Sequence, residues 1–159
     1  MVKLVGVDLD VPIGVIAPYR SNHPIIRKIP PKTLEQCVAK GTIAMLFNGG
    51  ALQEELSRLA PIEELPPIGS SANITEKGTK SEIENIEPQV LKRADSIIDY
   101  RKQKFHHPRL SSTMIGLKIC TILRYGACYY VLHDALRRFY GSKYPMILES
   151  QVEKTDTVN

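Results

Sequence analysis

The sequence predicts an α/β fold, a twisted mixed β-sheet covered by helices. Three observations predict it. Short β-branched runs, Val11–Ala17 and Thr42–Phe47, alternate with helix-like stretches in the first half. Two further apolar runs, Ser112–Leu117 and Ile119–Leu123, follow each other directly and read as a hairpin around Lys118. Near the C-terminus, Val131, Leu132, Ala135, Leu136 and Phe139 form one stripe at helical spacing.

Each element has a local reason. Val11–Ala17 is a buried strand because its branched residues fit a pleated surface, and Pro12 is tolerated at its start. Tyr19–Asn22 is a polar turn. Pro30-Pro31 breaks the chain before a short helix, Thr33–Ala39, which Thr33 caps, Gln36 supports and Gly41 stops. After the strand Thr42–Phe47 comes the turn Asn48-Gly49-Gly50. Ala51–Leu59 is an amphipathic helix, with Leu52, Leu56 and Leu59 inside and Glu54, Glu55 and Arg58 outside. Pro61–Pro67 is a connector, and Ile68-Gly69 a short strand. Residues 81–93 are helical pieces broken near Pro88. Asp95–Tyr100 reads as a third strand, and Ala127–Phe139 as the last helix.

Composition bounds the class. With 159 residues, 43% hydrophobic and 24% charged, the chain suits one soluble domain with a core. The domain is placed over residues 1–145, and the polar stretch 146–159 reads as a frayed tail. No apolar run is long enough to span a bilayer, and Asp8 and Asp10 interrupt any signal-peptide pattern, so an intracellular, cytoplasmic protein is expected. The cysteines, Cys37, Cys120 and Cys128, match neither a disulfide framework nor a zinc pattern. His106-His107 would point to opposite faces of a strand and lack a third ligand, so no protein-held metal is expected.

Charge is segregated. Glu54–Glu87 holds eight acids and three bases, whereas Lys92–Lys143 holds eleven bases and three acids. A basic half attracts nucleotides or RNA, and its densest part is the loop with Arg101, Lys102, Lys104 and Arg109. A solvated surface would have the same composition.

The segment Pro67–Lys80 combines Gly69, Ser70, Ser71, Asn73, Thr75, Gly78 and Thr79. Small residues with short polar side chains bring N–H and hydroxyl groups close to a ligand. A plain connecting loop capped by Ser81 fits the same residues.

Ser-Ser-Ala-Asn-Ile-Thr, with Gly78-Thr79 behind it, resembles the Ser-x-Asn signature of the YrdC-like family, the L-threonylcarbamoyladenylate synthases. A second block, Arg109-Leu110-Ser111-Ser112-Thr113-Met114-Ile115 followed by Ile122-Leu123-Arg124-Tyr125-Gly126, resembles the family's Ser-Thr strand and Leu-Arg-x-Gly element. His23-Pro24-Ile25-Ile26 is similar to the family's His-Pro strand end. The resemblance runs from about Ile13 to Gly141.

It implies a YrdC-like sheet and a nucleotidyltransferase. The substrates would be ATP, L-threonine and bicarbonate, with Mg²⁺ carried by the nucleotide, and the product would serve tRNA t6A37 modification. Ser71, Asn73, Thr79 and Arg124 would contact ATP. Ser112 would contact L-threonine, and Arg20 stands in for the family's arginine on the amino-acid carboxylate. Ser71 and Asn73 could equally stabilise their own turn, Ser112 be an ordinary strand residue, and Arg124 a solvated edge charge.

Relative to that pattern the chain begins near the middle. It lacks the family's Pro-Thr-x-Thr strand and its Lys-x-Arg triphosphate ligands. That predicts a loss of the order of 10²–10³ in rate, and leaves an alternative: a catalytically degenerate module that binds tRNA or double-stranded RNA, or nucleotide. A further alternative is a partner subunit that oligomerises through an exposed sheet edge.

Overall fold

The sheet is organised around β1, Ile13–Pro18, in which Ile13, Val15 and Ala17 are all buried. Alternate residues of a strand share a face, so these three form one apolar row. In the computed structural model, which describes residues 10–74, 77–101, 103–107, 111–118 and 121–141, β1 has a neighbour on each side. It pairs antiparallel with β3, Thr42–Phe47, and parallel with β4, Thr113–Gly116. The two-residue β2, Val38–Ala39, extends the sheet beyond β3, and β5, Thr121–Arg124, extends it beyond β4. The result is an open mixed sheet of five strands in the order β2-β3-β1-β4-β5.

The register carries the apolar row across the sheet. Val15 pairs with Ile115, and Ile115 with Ile122. Helix α5, Tyr129–Tyr140, covers this row with Tyr129, Leu132 and Leu136. Their spacing puts them on one helix face. Ile115, Leu132, Leu136 and Val15 are each at most 2% exposed, so the main core lies between α5 and β1, β4 and β5.

The other helices stand away from that core. Prolines occupy the first turns of α1, Pro24–Lys28, α2, Pro31–Cys37, and α4, Pro88–Leu91. A missing N–H costs nothing there. Helix α3, Ala51–Glu63, is tied to β3 through one side chain. Gln53 accepts from the Gly49 N–H at 2.7 Å and donates to the Leu46 carbonyl at 2.9 Å. Its leucines Leu52 and Leu56 stay 41% and 48% exposed.

Several expectations need correcting. His23-Pro24-Ile25-Ile26 opens α1, Pro24–Lys28, and is not a strand end, because Pro24 at the first helical position favours a helix start. The next helix begins at Pro31 and ends at Cys37, so Thr33 lies inside it, and Val38–Ala39 turn back as β2. Helix α3 runs through Pro61 to Glu63, longer than expected, and stops where Glu64 turns left-handed at φ 53°. Among the described residues Ile68-Gly69 and Asp95–Tyr100 join no strand ladder, and they are not strands. Ile97, Ile98 and Tyr100 are 53–74% exposed there. Strand propensity reflects packing against neighbours, which these residues lack. The expected tail, 146–159, lies outside the described residues. Among the described residues no helix is long and apolar enough to cross a membrane.

Leu132→Ala should cost ~2–5 kcal/mol of stability, the usual range for a truncated core leucine. Leu56→Ala should stay within ~0.5 kcal/mol. Urea unfolding of both variants measures the difference; equal losses would mean that α3 contributes as much to the core as α5.

Candidate ligand-binding site

The start of β4 is where the two sequence blocks meet. Ser111, Ser112 and Thr113 run into the strand beside Ile13 of β1, and four groups hold them. The Ala127 N–H donates to the Ser111 carbonyl at 2.6 Å. The Thr113 hydroxyl, fully buried, donates to the Ala127 carbonyl at 2.9 Å. Arg124 donates from Nε and from one terminal nitrogen to the Ser112 carbonyl, at 3.0 and 2.9 Å. The Ser111 hydroxyl pairs with the Thr79 hydroxyl at 2.7 Å.

Gly126 makes this junction sterically feasible. A methyl group there would sit 2.3 Å from the Ser111 carbonyl oxygen and 2.5 Å from the Thr113 nitrogen. Both atoms are backbone and have nowhere to go. Here glycine is required for close approach, not for an unusual φ.

Two further segments come to the same end of the sheet. The Gln103 N–H donates to the Ser81 carbonyl at 2.9 Å, two residues past Thr79. The Cys128 N–H donates to the His107 carbonyl at 2.9 Å, next to Ala127. The basic loop is thereby pinned near both ends beside the Ser111–Thr113 segment. Cys128 itself is left-handed at φ 59°, which turns the chain from β5 into α5. Partial burial pushes its thiol up from the usual range. Lys80 reaches Glu87 at 3.3 Å and so ties the end of the Thr79 loop to the start of α4.

Thr79, Ser112 and Arg124 are thus brought together. Arg124 is exposed, and partial desolvation pulls its guanidinium down from its usual value, yet arginine remains charged throughout the working pH range. Two of its N–H groups serve a backbone carbonyl, and the others stay available to an anion. Among the described residues the Ser112 hydroxyl carries no hydrogen bond. Asn73 donates to its neighbour's carbonyl, Ile74 O, at 3.0 Å, and Ser71 is exposed in the same loop.

Arg20 is not brought together with them. Ser112 precedes the pair Ile13↔Thr113, whereas Arg20 lies past the other end of β1, beyond Ile16↔Gly116. At ~3.3 Å per residue this is roughly 20 Å along the sheet, farther than an arginine side chain reaches. The expectation that Arg20 and Ser112 share an amino-acid site is corrected by that register. A shallow groove of about 220 Å³, between α1 and the end of α3, is lined by His23, Pro24, Ile25, Lys28, Pro61 and Glu64. An exposed Lys28–Glu64 ion pair lies at its rim. No residue of the sequence blocks at the start of β4 lines it.

In the basic loop, Arg101 is exposed, and Lys104 lies 4.8 Å over the Phe105 ring. Lys102 and Arg109 fall outside the described residues. Among the described residues no group of three or more His, Cys, Asp or Glu side chains could hold a metal. Ser111 and Thr113 stand in the second sequence block, but neither hydroxyl was expected to hold the site together. Their only signal was three consecutive hydroxyl residues at the mouth of an apolar strand.

Gly126→Ala should destabilise the fold by at least the ~1–3 kcal/mol of an overpacked core, because its new methyl meets only backbone. Thermal unfolding checks this; an unchanged midpoint would mean that β5 and β4 separate freely. No family model matches the sequence, and neither a curated protein nor a solved structure matches the chain.

Proposed function

We propose that this chain is a YrdC-like nucleotide-binding domain with L-threonylcarbamoyladenylate synthase chemistry. ATP, L-threonine and bicarbonate would be its substrates, and its product would serve tRNA t6A37 modification in the cytoplasm. One observation carries this reading: the 2.7 Å hydroxyl pair between Thr79 and Ser111 joins the Ser-x-Asn loop to the Ser-Ser-Thr block. Two segments with family-like sequences, more than thirty residues apart, would not need to touch in an unrelated fold.

On this reading the amine of threonine and bicarbonate give a carbamate with loss of water. A carbamate oxygen then attacks the α-phosphorus of ATP, and pyrophosphate leaves. Such a step needs positioning and charge neutralisation rather than a protein nucleophile. Asn73 and Ser71 supply short polar groups for phosphate or sugar oxygens. The uncommitted Ser112 hydroxyl faces the same task for the amino acid. Arg124 offers its remaining N–H groups to negative charge, with its planar fork already oriented by the Ser112 carbonyl. Magnesium arrives on the nucleotide's own phosphates.

A second reading rests on the basic loop. Its attachment to Ser81 and Cys128 supports this reading, since Arg101 and Lys104 then lie toward the same end of the sheet, where RNA phosphates could bind without turnover.

Titration of the native chain with Mg-ATP should show saturable binding. Pyrophosphate release should require both threonine and bicarbonate. Asn73→Ala and Ser112→Ala should each lower release by roughly 10²-fold, the effect of losing one positioned polar group. An absence of any nucleotide binding sinks the synthase reading. Salt-dependent tRNA retention without pyrophosphate release would establish the RNA-binding one.

A further inference from the structure

We propose that Ser111 is a positioning residue whose hydroxyl, paired with Thr79, sets the spacing between the Ser71–Thr79 loop and Ser112. Three of the four ties on the Ser111–Thr113 segment run to the β5–α5 elbow, to the Ala127 N–H, the Ala127 carbonyl and the Arg124 guanidinium. They fix β4 to its own neighbours and do not reach the loop. Among the described residues, one hydrogen bond crosses from the loop to this segment, and it is Thr79–Ser111. Among the described residues the loop's other bonds run elsewhere: Asn73 to Ile74, the Lys77 N–H to Ile74, Lys80 to Lys77 and to Glu87 at the start of α4, and, just past the loop, Ser81 to Gln103.

The pair is half-buried, so water competes weakly for either hydroxyl. The chemistry also explains why two hydroxyls stand there. Each donates and accepts, so the pair can reverse its direction and leave Thr79 with either a donor or an acceptor for a ligand. An alanine at position 111 would remove that choice along with the tie.

This inference rests on the nucleotide-binding reading only for its functional arm. The structural arm is hydrogen exchange of the Lys77–Ser81 amides. Ser111→Ala should speed their exchange by about five-fold, the factor expected for one ordinary neutral hydrogen bond. Ser111→Thr, which keeps the hydroxyl, should restore protection. Within a Thr79→Val background, Ser111→Ala should add nothing, because the two residues act as one unit.

The functional arm is the dissociation constant for Mg-ATP, which should rise about five-fold in Ser111→Ala and return in Ser111→Thr. Unchanged exchange in Ser111→Ala, or additive effects in the Thr79→Val background, overturns the proposal whatever the nucleotide does. A native chain that binds no Mg-ATP, yet shows the expected exchange pattern, leaves the tie standing and removes the synthase reading instead. Loss of affinity in both Ser111→Ala and Ser111→Thr, with exchange unaltered, assigns Ser111 to bulk packing and overturns the proposal as well.

Discussion

The backbone of Gly126 lies against the peptide from Ser111 to Thr113 with no room for a side chain, and much of the molecule follows from that contact. It lets the Ala127 amide and carbonyl reach the strand on both sides of Ser112. Those bonds satisfy a fully buried threonine hydroxyl that would otherwise cost about 1–3 kcal/mol. They also fix where α5 starts, and therefore how Leu132 and Leu136 lie over Val15 and Ile115. The Arg124 guanidinium completes the arrangement. Its planar fork can place two N–H groups on one carbonyl oxygen, which a lysine ammonium cannot do with the same rigidity.

The central half of the fold was legible because period and punctuation agreed. Thr42–Phe47 combines β-branched and apolar residues between a glycine turn and Asn48-Gly49-Gly50, and it is a strand over those same residues. The 3.6-residue stripe of the last helix was legible in Leu132, Ala135 and Leu136, which face the core, but Val131 stays 48% exposed and the helix begins at Tyr129, not Ala127. Where the reading failed, a tertiary partner was the missing term. Ser96-Ile97-Ile98-Asp99-Tyr100 carries strand-forming residues, but among the described residues it joins no ladder of the sheet. In α3 the error ran the other way. Pro61 looked like a stop, yet it follows enough helix for the lost bond to be tolerated before Glu64 ends the run.

The site was legible in its parts and not in its assembly. The residue types at Thr79, Ser112 and Arg124 were readable from motif spacing, and the chain places them at one end of β4. Arg20 could not be judged from spacing, because whether a residue sits at the near or far end of a strand depends on the direction in which that strand pairs. The parallel pairing of β1 with β4 puts Arg20 at the far end. Ser111 was hidden for a simpler reason. One serine among three adjacent hydroxyl residues has no pattern of its own, and only the approach of a distant loop distinguishes it.

The parallel pairing has a consequence for how the protein comes to be made. Ile13 finds Phe47 early in synthesis, but its other neighbour, Thr113, is translated a hundred residues later. Until then the central strand presents one open edge, and such edges recruit strands from other chains. The nascent protein must therefore wait, half-zipped, for its own C-terminal third. Contacts of such long range close slowly, and crowding of unfinished copies is the condition under which this chain is most exposed to misassembly.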